Sequence, residues 1–85
     1  MIDHKIKLVL KDTLDRHGIS MNKLAQTGNV RYPTIHEMCN HKDKVKQVNF
    51  STLTKIVDAL RELTGDDSIN VTDVFVYDEK ETEWL

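Results

Sequence analysis

Three side chains that commonly bind metal ions, His36, Cys39 and His41, lie within one stretch of six residues. A structural zinc site needs four ligands, which usually come as two spaced pairs. The spacing H-x2-C-x-H is not a familiar zinc pattern, no second pair follows it, and His4 and His17 are far away in the sequence. We therefore predict no metal site, and we interpret Cys39 as a small, partly buried residue near the end of a helix.

No arrangement of residues in this sequence is typical of an enzyme. It has no nucleophile beside a base, no glycine-rich phosphate loop and no pair of carboxylates in an evident cleft. A chain of 85 residues would also have difficulty enclosing a substrate. We therefore predict no catalytic residue, no cofactor and no enzymatic activity.

The length of 85 residues and the hydrophobic fraction of 39% predict one domain with one modest core. Much of that core is expected from Phe50, Phe75, Tyr77 and Trp84. No apolar run approaches the roughly 18 residues of a membrane helix, and the charged N-terminus is unlike a signal peptide. A single cysteine fits a reducing compartment. We therefore expect a cytoplasmic protein with no membrane partner.

Charge is divided unevenly along the chain. Residues 1–57 contain ten Lys or Arg and five Asp or Glu, whereas residues 58–85 contain two and nine. The first part could therefore bind a polyanion. The acidic end could contact another partner, or it could only aid solubility.

The spacing of hydrophobic residues along the chain predicts four helices. The first covers about 3–17, with Asp3 as its N-cap and Gly18 as its left-handed stop. Its inward residues are Ile2, Ile6, Val9, Leu10 and Leu14. Ser20 is predicted to cap a second helix that ends near Thr27.

A tight turn at Gly28-Asn29-Val30 is predicted to join the second helix to a third, over about 32–39. Glycine and asparagine both tolerate positive φ, so either could form the bend. Pro33 suits the first turn of the third helix, where its missing N–H would have no partner. A small residue lets two helices cross closely, which is the role predicted for Ala25. The residues expected to face the core are Leu24, Ala25, Val30, Ile35 and Met38.

The stretch 41–48 has neither helical nor strand spacing, and we interpret it as an exposed basic loop. Asn49 or Ser51 is predicted to cap a fourth helix that ends near Thr64. Its core face is predicted to contain Phe50, Leu53, Ile56, Val57, Leu60 and Leu63.

Residues 69–77 allow two interpretations. Asn70 could cap a short helix that packs Val71, Val74 and Phe75, or the β-branched and aromatic residues could form a strand. Residues 78–85 are predicted to be an acidic, mobile tail, so the domain itself is expected to cover 1–77.

A framework of six residues, followed by the stretches NFSTLTKIVDAL and TDVF, carries a resemblance to a known family. The six residues are Leu24, Ala25, Asn29, Val30, Ile35 and Met38. Over about residues 4–76 the chain resembles the lambda-repressor-like (Cro/Xre) helix-turn-helix family. The resemblance implies an all-α fold, a compact bundle of four to five short helices containing a helix-turn-helix. Two departures are Met21, where the family often has glutamine, and Gly28, which precedes the bend instead of occupying it.

The resemblance also implies a sequence-specific regulator that binds double-stranded DNA and inserts the third helix into the major groove. Its outward side chains, the predicted base contacts, are Arg31, Tyr32, Thr34, His36 and Glu37. Arg31 can bind guanine or clamp a phosphate, and Thr34 and His36 can each reach a base or a phosphate. Tyr32 can contact a thymine methyl or a sugar, or it can simply cover the domain surface. Glu37 can accept from cytosine, or it can pair with Arg31 or a loop lysine.

Phosphate contacts are predicted at two places. The first is the start of the second helix, where free N–H groups favour an anion, at Ser20, Met21, Asn22 and Lys23. The second follows the third helix, at Asn40, Lys42, Lys44 and Lys46. Asn40 could instead cap the helix, and the lysines could be only a solvated loop.

We expect a bacterial or prophage repressor that occludes a promoter as a homodimer on paired half-sites. Residues 71–77 and the end of the fourth helix are the candidate dimer surfaces. The alternative is a protein-interaction module, since a fold does not fix a function. In that case the acidic and aromatic segment 66–85 would bind a regulator or a polymerase.

Overall fold

The computed structural model describes residues 6–77, without the side chain of Asp43. Its four α-helices are α1 (Leu10–His17), α2 (Met21–Gly28), α3 (Tyr32–Asn40) and α4 (Phe50–Thr64). Two short strands, β1 (Ile6–Leu8) and β2 (Phe75–Tyr77), flank them, and single 3₁₀ turns lie at Lys42–Lys44 and Val71–Asp73. The expected all-α bundle is confirmed, with the small sheet as an addition. The predicted tail 78–85 and the residues Ile2, Asp3, His4, Trp84 and Leu85 lie outside the described residues.

The first helix begins later than predicted. Ile6–Leu8 is a strand that pairs antiparallel with Phe75–Tyr77, and α1 begins only at Leu10. The Val9 N–H donates to the Val74 oxygen at 2.8 Å, which joins the start of α1 to the end of the chain's second 3₁₀ turn. The helical spacing was misleading because a distant segment provides β1 with a partner, and tertiary pairing outweighs local preference.

The two helices α2 and α3 and the turn between them form as predicted. The Ser20 hydroxyl accepts the Lys23 N–H at 3.0 Å, so Ser20 caps α2. Asn29 is the bend residue, with a φ of 55°, and its neighbour Gly28 has no positive φ. The Val30 N–H then donates to the Ala25 oxygen at 3.0 Å, which closes the turn.

Gly28 serves a different purpose, because it lies where α2 approaches α4. A Cβ atom at Gly28 would lie 3.1 Å from the Lys55 backbone oxygen and 3.3 Å from the Ala59 Cβ. Two adjacent residues therefore have separate roles: Gly28 allows the close approach of α2 to α4, and Asn29 adopts the left-handed φ of the bend. This explains why the glycine precedes the bend.

Aliphatic side chains fill the core of the described residues, and of the expected aromatic residues Phe75 is half-buried and packs against it. The largest fully buried apolar side chains are Leu10, Leu14, Leu24, Ile35, Ile56, Leu60 and Val74. Phe50 was expected on the core face of α4 but is 85% exposed, and Tyr77 is 62% exposed. Phe50 is the first residue of α4, and the core near that end is filled by Val45 and Val48 instead. Asn49 is the cap, since its Oδ1 accepts the Thr52 N–H at 2.7 Å.

The segment 41–48 is more ordered than the predicted loop. Lys42–Lys44 forms a 3₁₀ turn, and Val45 and Val48 are half-buried against the core. Val45 and Val48 therefore attach this segment to the core, while the side chains of Lys42, Lys44 and Lys46 remain exposed.

Both interpretations of residues 69–77 hold in part. Asn70 caps the 3₁₀ turn Val71–Asp73 in a capping box with Asp73, and a strand follows. Val74 is fully buried as expected, whereas Val71 is 37% exposed and does not pack as predicted. The segment closes the core by inserting Ile69 and Val74.

A buried threonine fastens this closing segment to α1. The Thr13 hydroxyl donates to the Asp73 backbone oxygen at 2.6 Å and accepts from the Arg16 guanidinium at 3.2 Å. Thr13 is completely buried, so its hydroxyl needs these partners. The ion pair between Arg16 and the Asp73 carboxylate, at 3.7 Å, is partly exposed and contributes less.

Replacing Thr13 with valine keeps the shape and removes the hydroxyl. We expect Thr13→Val to lower the free energy of unfolding by about 1–3 kcal/mol, because the Asp73 oxygen loses its donor. Urea denaturation measures this, with Thr54→Val on the exposed face of α4 as the matched control. Equal effects of the two substitutions would show that the hydrogen bond contributes nothing.

The close approach at Gly28 gives a second prediction. Gly28→Val should lower the free energy of unfolding by about 1–3 kcal/mol, because its side chain would overlap the α4 backbone. Gln26→Val places the same side chain at an exposed position of α2 and is the control. A Gly28→Val protein as stable as the control would mean that α2 and α4 are farther apart than described.

Candidate nucleic-acid interface

Helix α3 has one buried side and one polar side. Ile35, Met38 and Cys39 are between 0% and 2% exposed, and Val30 packs beneath the start of the helix. This apolar floor fixes the rotation of α3 about its own axis. Of the predicted base-contact residues, Arg31, Tyr32 and Glu37 are exposed, and Thr34 and His36 are half-buried.

Arg31 stands at the N-cap position of α3. Its backbone oxygen accepts the N–H groups of Thr34 and Ile35 at 3.0 and 3.3 Å, which holds the residue in place. Its guanidinium makes no capping hydrogen bond and no ion pair with any described residue. The five donors of this fork are therefore available to a guanine edge or a phosphate.

Three aromatic side chains on α3 and at its C-cap make two successive ring contacts. The Tyr32 and His36 ring centroids are 5.8 Å apart, and those of His36 and His41 are 5.6 Å apart. The first pair follows the i, i+4 spacing of a helix, which the sequence reveals. The second does not, because α3 ends at Asn40 and the chain turns at His41. His41 was considered only as a metal ligand from the sequence.

Glu37 and Thr34 line one wall of a cleft of about 190 Å³ between α3 and the start of α4. Gln47 and Asn49 line the same cleft, and neither was predicted as a site residue. Among the described residues, Glu37 forms no ion pair with Arg31 or a lysine. Its carboxylate is therefore free to accept a hydrogen bond from a ligand.

The start of α2 meets the end of α3. The Asn40 amide donates to the Met21 sulfur at 3.7 Å, so Asn40 does not cap α3, whose C-cap is His41. The two predicted phosphate regions therefore adjoin each other. One correction concerns Lys23, whose N–H is occupied by the Ser20 hydroxyl. The N–H groups of Met21 and Asn22 form no hydrogen bond within the described part of the chain.

Positive charge surrounds the polar side of α3. Lys42, Lys44 and Lys46 follow the helix with exposed side chains, and Lys23 is exposed in the first turn of α2. With Arg31 these are five cations, against two carboxylates in the same segments, Glu37 on α3 and Asp43 between Lys42 and Lys44 in the sequence. A surface with this charge attracts a polyanion, and the N-terminus of α2 adds its dipole.

Cys39 belongs to the core. It is 2% exposed, and burial raises the pKa of the Cys39 thiol above its ordinary value. Metals bind the thiolate, which this burial disfavours. Within residues 6–77, no three His, Cys, Asp or Glu side chains are grouped so that they could hold a metal ion.

The comparisons with known proteins identify the family. A family model described as a Cro/C1-type HTH DNA-binding domain matches residues 9–78. No curated protein and no solved structure matches the chain. In the described part of the chain, no helix has the length and apolar character needed to cross a membrane. The matched residues include the whole of the α2–turn–α3 unit and the α4 helix, and the chain therefore belongs to the Cro/C1-type helix-turn-helix family of DNA-binding regulators.

Proposed function

We propose that this protein is a sequence-specific repressor of bacterial or prophage origin that reads the DNA major groove with α3. It performs no chemistry and acts by occupying a promoter. Acting on chromosomal DNA places it in the cytoplasm. Specificity would come from the polar side of α3 and affinity from the cations and N–H groups around it.

One observation supports this proposal above the others. The contact between Asn40 and Met21 brings the start of α2 next to the end of α3, where Lys42 and Lys44 follow. Phosphate-binding groups from two parts of the sequence therefore border the same helix. A duplex backbone running past one end of α3 would meet both groups while its bases face the side chains of α3.

The side chains divide into two sets. We propose that Arg31, Tyr32, Thr34, His36 and Glu37 contact bases. Arg31 would donate to guanine and Glu37 would accept from a cytosine amine, which selects sequence rather than adding affinity. We propose that the phosphate contacts are Ser20, Met21, Asn22, Lys23, Asn40, Lys42, Lys44 and Lys46.

Such a small domain makes few base contacts, so we propose a homodimer on two half-sites about one helical turn apart. Residues 71–77 and the end of α4 remain the candidate surface. Tyr77 and Val71 are exposed there, at 62% and 37%, and could pack against a second copy.

A second candidate function is a protein contact through the C-terminal segment, which the exposed Tyr77 favours. Truncation after Asp67 would not test it, because Ile69 and Val74 are part of the core and their loss would unfold the domain. Substitution of Tyr77 by serine is the better test. Under this alternative, Tyr77→Ser abolishes partner binding and Arg31→Ala has no effect.

Selection of bound duplexes from a random pool at physiological salt tests the proposed function. We expect recovery of a defined sequence with two related halves about one helical turn apart. Recovery of unrelated sequences would refute sequence-specific reading. A single unpaired half-site would refute the homodimer alone.

Arg31 provides the sharpest test of base reading. Arg31→Ala should weaken binding to the selected duplex by about 1–3 kcal/mol and relax the preference at one base pair. Arg31→Lys keeps the charge without the guanidinium fork, so it should lose the preference as well. If Arg31→Lys restores full affinity and specificity, Arg31 clamps a phosphate instead. Fluorescence anisotropy on the selected duplex and its point variants measures both.

Lys44 should contribute affinity without specificity. Lys44→Ala should weaken binding to all duplexes alike and reduce the slope of log affinity against log salt by about one. Lys7→Ala removes an exposed lysine on β1 and is the matched control. An unchanged salt slope for Lys44→Ala would place Lys44 outside the DNA contact.

A further inference from the structure

We propose that His41 forms a proton-dependent phosphate contact at the C-terminal end of α3, beside the base-contacting His36, whose protonated ring is the stronger donor, so that DNA binds more tightly as the pH falls. This inference rests on the proposed function. It adds His41 to the binding residues and names a condition that regulates them.

The geometry places two imidazoles side by side on the DNA-binding side of the domain. The ring centroids of His36 and His41 are 5.6 Å apart, and the Tyr32 ring centroid is 5.8 Å from that of His36. His41 is exposed and stands at the C-cap of α3, directly before the basic 3₁₀ turn. It also follows Asn40, whose amide touches Met21 at the start of α2.

Both cations and carboxylates stand on the elements around this pair. The elements packed against α3 include α1, α2 and the 3₁₀ turn Lys42–Lys44. Helix α1 carries Lys11, Asp12, Asp15, Arg16 and His17, and Lys11 pairs with Asp15 at 3.3 Å. Helix α2 carries Lys23, and the 3₁₀ turn carries Lys42, Asp43 and Lys44. On α3 itself the carboxylate is Glu37. Within the described residues, no carboxylate forms an ion pair with either imidazole.

The phosphate determines the sign of the effect. A DNA phosphate close to His41 attracts the charged form of the imidazole. DNA binding therefore takes up protons, and by linkage protons strengthen DNA binding. The contribution is complete at acidic pH and disappears as the pH rises through the range where histidine loses its charge.

The experiment measures the affinity for the selected duplex at about pH 6 and about pH 8, with the ionic strength held constant. If binding moves the titration midpoint of one imidazole upward by about one pH unit, the affinity is about sixfold higher at the lower pH. His41→Gln should reduce this ratio to about twofold or less while leaving the affinity at about pH 8 nearly unchanged. His36→Gln should reduce it as well.

His17 offers a matched control, because it is an exposed histidine in the last turn of α1. His17→Gln should keep the full ratio. Circular dichroism establishes that each variant is folded. A full ratio in His41→Gln, or its loss in His17→Gln, would overturn the inference.

A second readout separates charge from packing. The ring proton resonances of His36 and His41, followed by NMR through a pH titration, should shift their midpoints to higher pH when the duplex is added. Unmoved midpoints would overturn the inference. Tight binding that does not depend on pH overturns it and leaves the proposed function intact, whereas absence of binding to any duplex at either pH refutes both.

Discussion

The attachment of α3 to the core is the constraint on which the rest of this structure depends. Ile35, Met38 and Cys39 are almost completely buried, and Val30 packs below the start of the helix. A helix held at three inward positions cannot rotate without exposing apolar side chains, which costs free energy in proportion to the area exposed. The position of Arg31 and Glu37 is therefore set by buried residues of the core.

The turn before α3 shows how two physical demands are met by two residues. A single glycine could satisfy both a left-handed φ and a close helix approach, because it has no Cβ. Here Asn29 has the left-handed φ and Gly28 lies against the α4 backbone. The pair Gly28-Asn29 therefore does what a single glycine at the bend could do. It allows α2 to lie close to α4 and turns the chain from α2 into α3.

The sequence predicted those parts whose cause is local. The cap at Ser20 and the inward side of α3 follow from residue type and spacing. Residue type narrowed the bend to Gly28 or Asn29 and the cap of α4 to Asn49 or Ser51, and the structure has Asn29 and Asn49. The errors have nonlocal causes. Ile6–Leu8 forms a strand because Phe75–Tyr77 pairs with it, and no local pattern indicates that partner. The same applies to the site, where the contact between His36 and His41 depends on how the chain turns after α3.

The proposed function requires the polar side of α3 to bind the duplex. A map of backbone amide NMR shifts, recorded as the selected duplex is added to the whole protein, tests this binding. We expect the largest changes at Arg31 to Asn40, at Met21 and Asn22, and at Lys42 to Lys46. Changes confined to residues 71–77, with α3 unaffected, would contradict the proposed function.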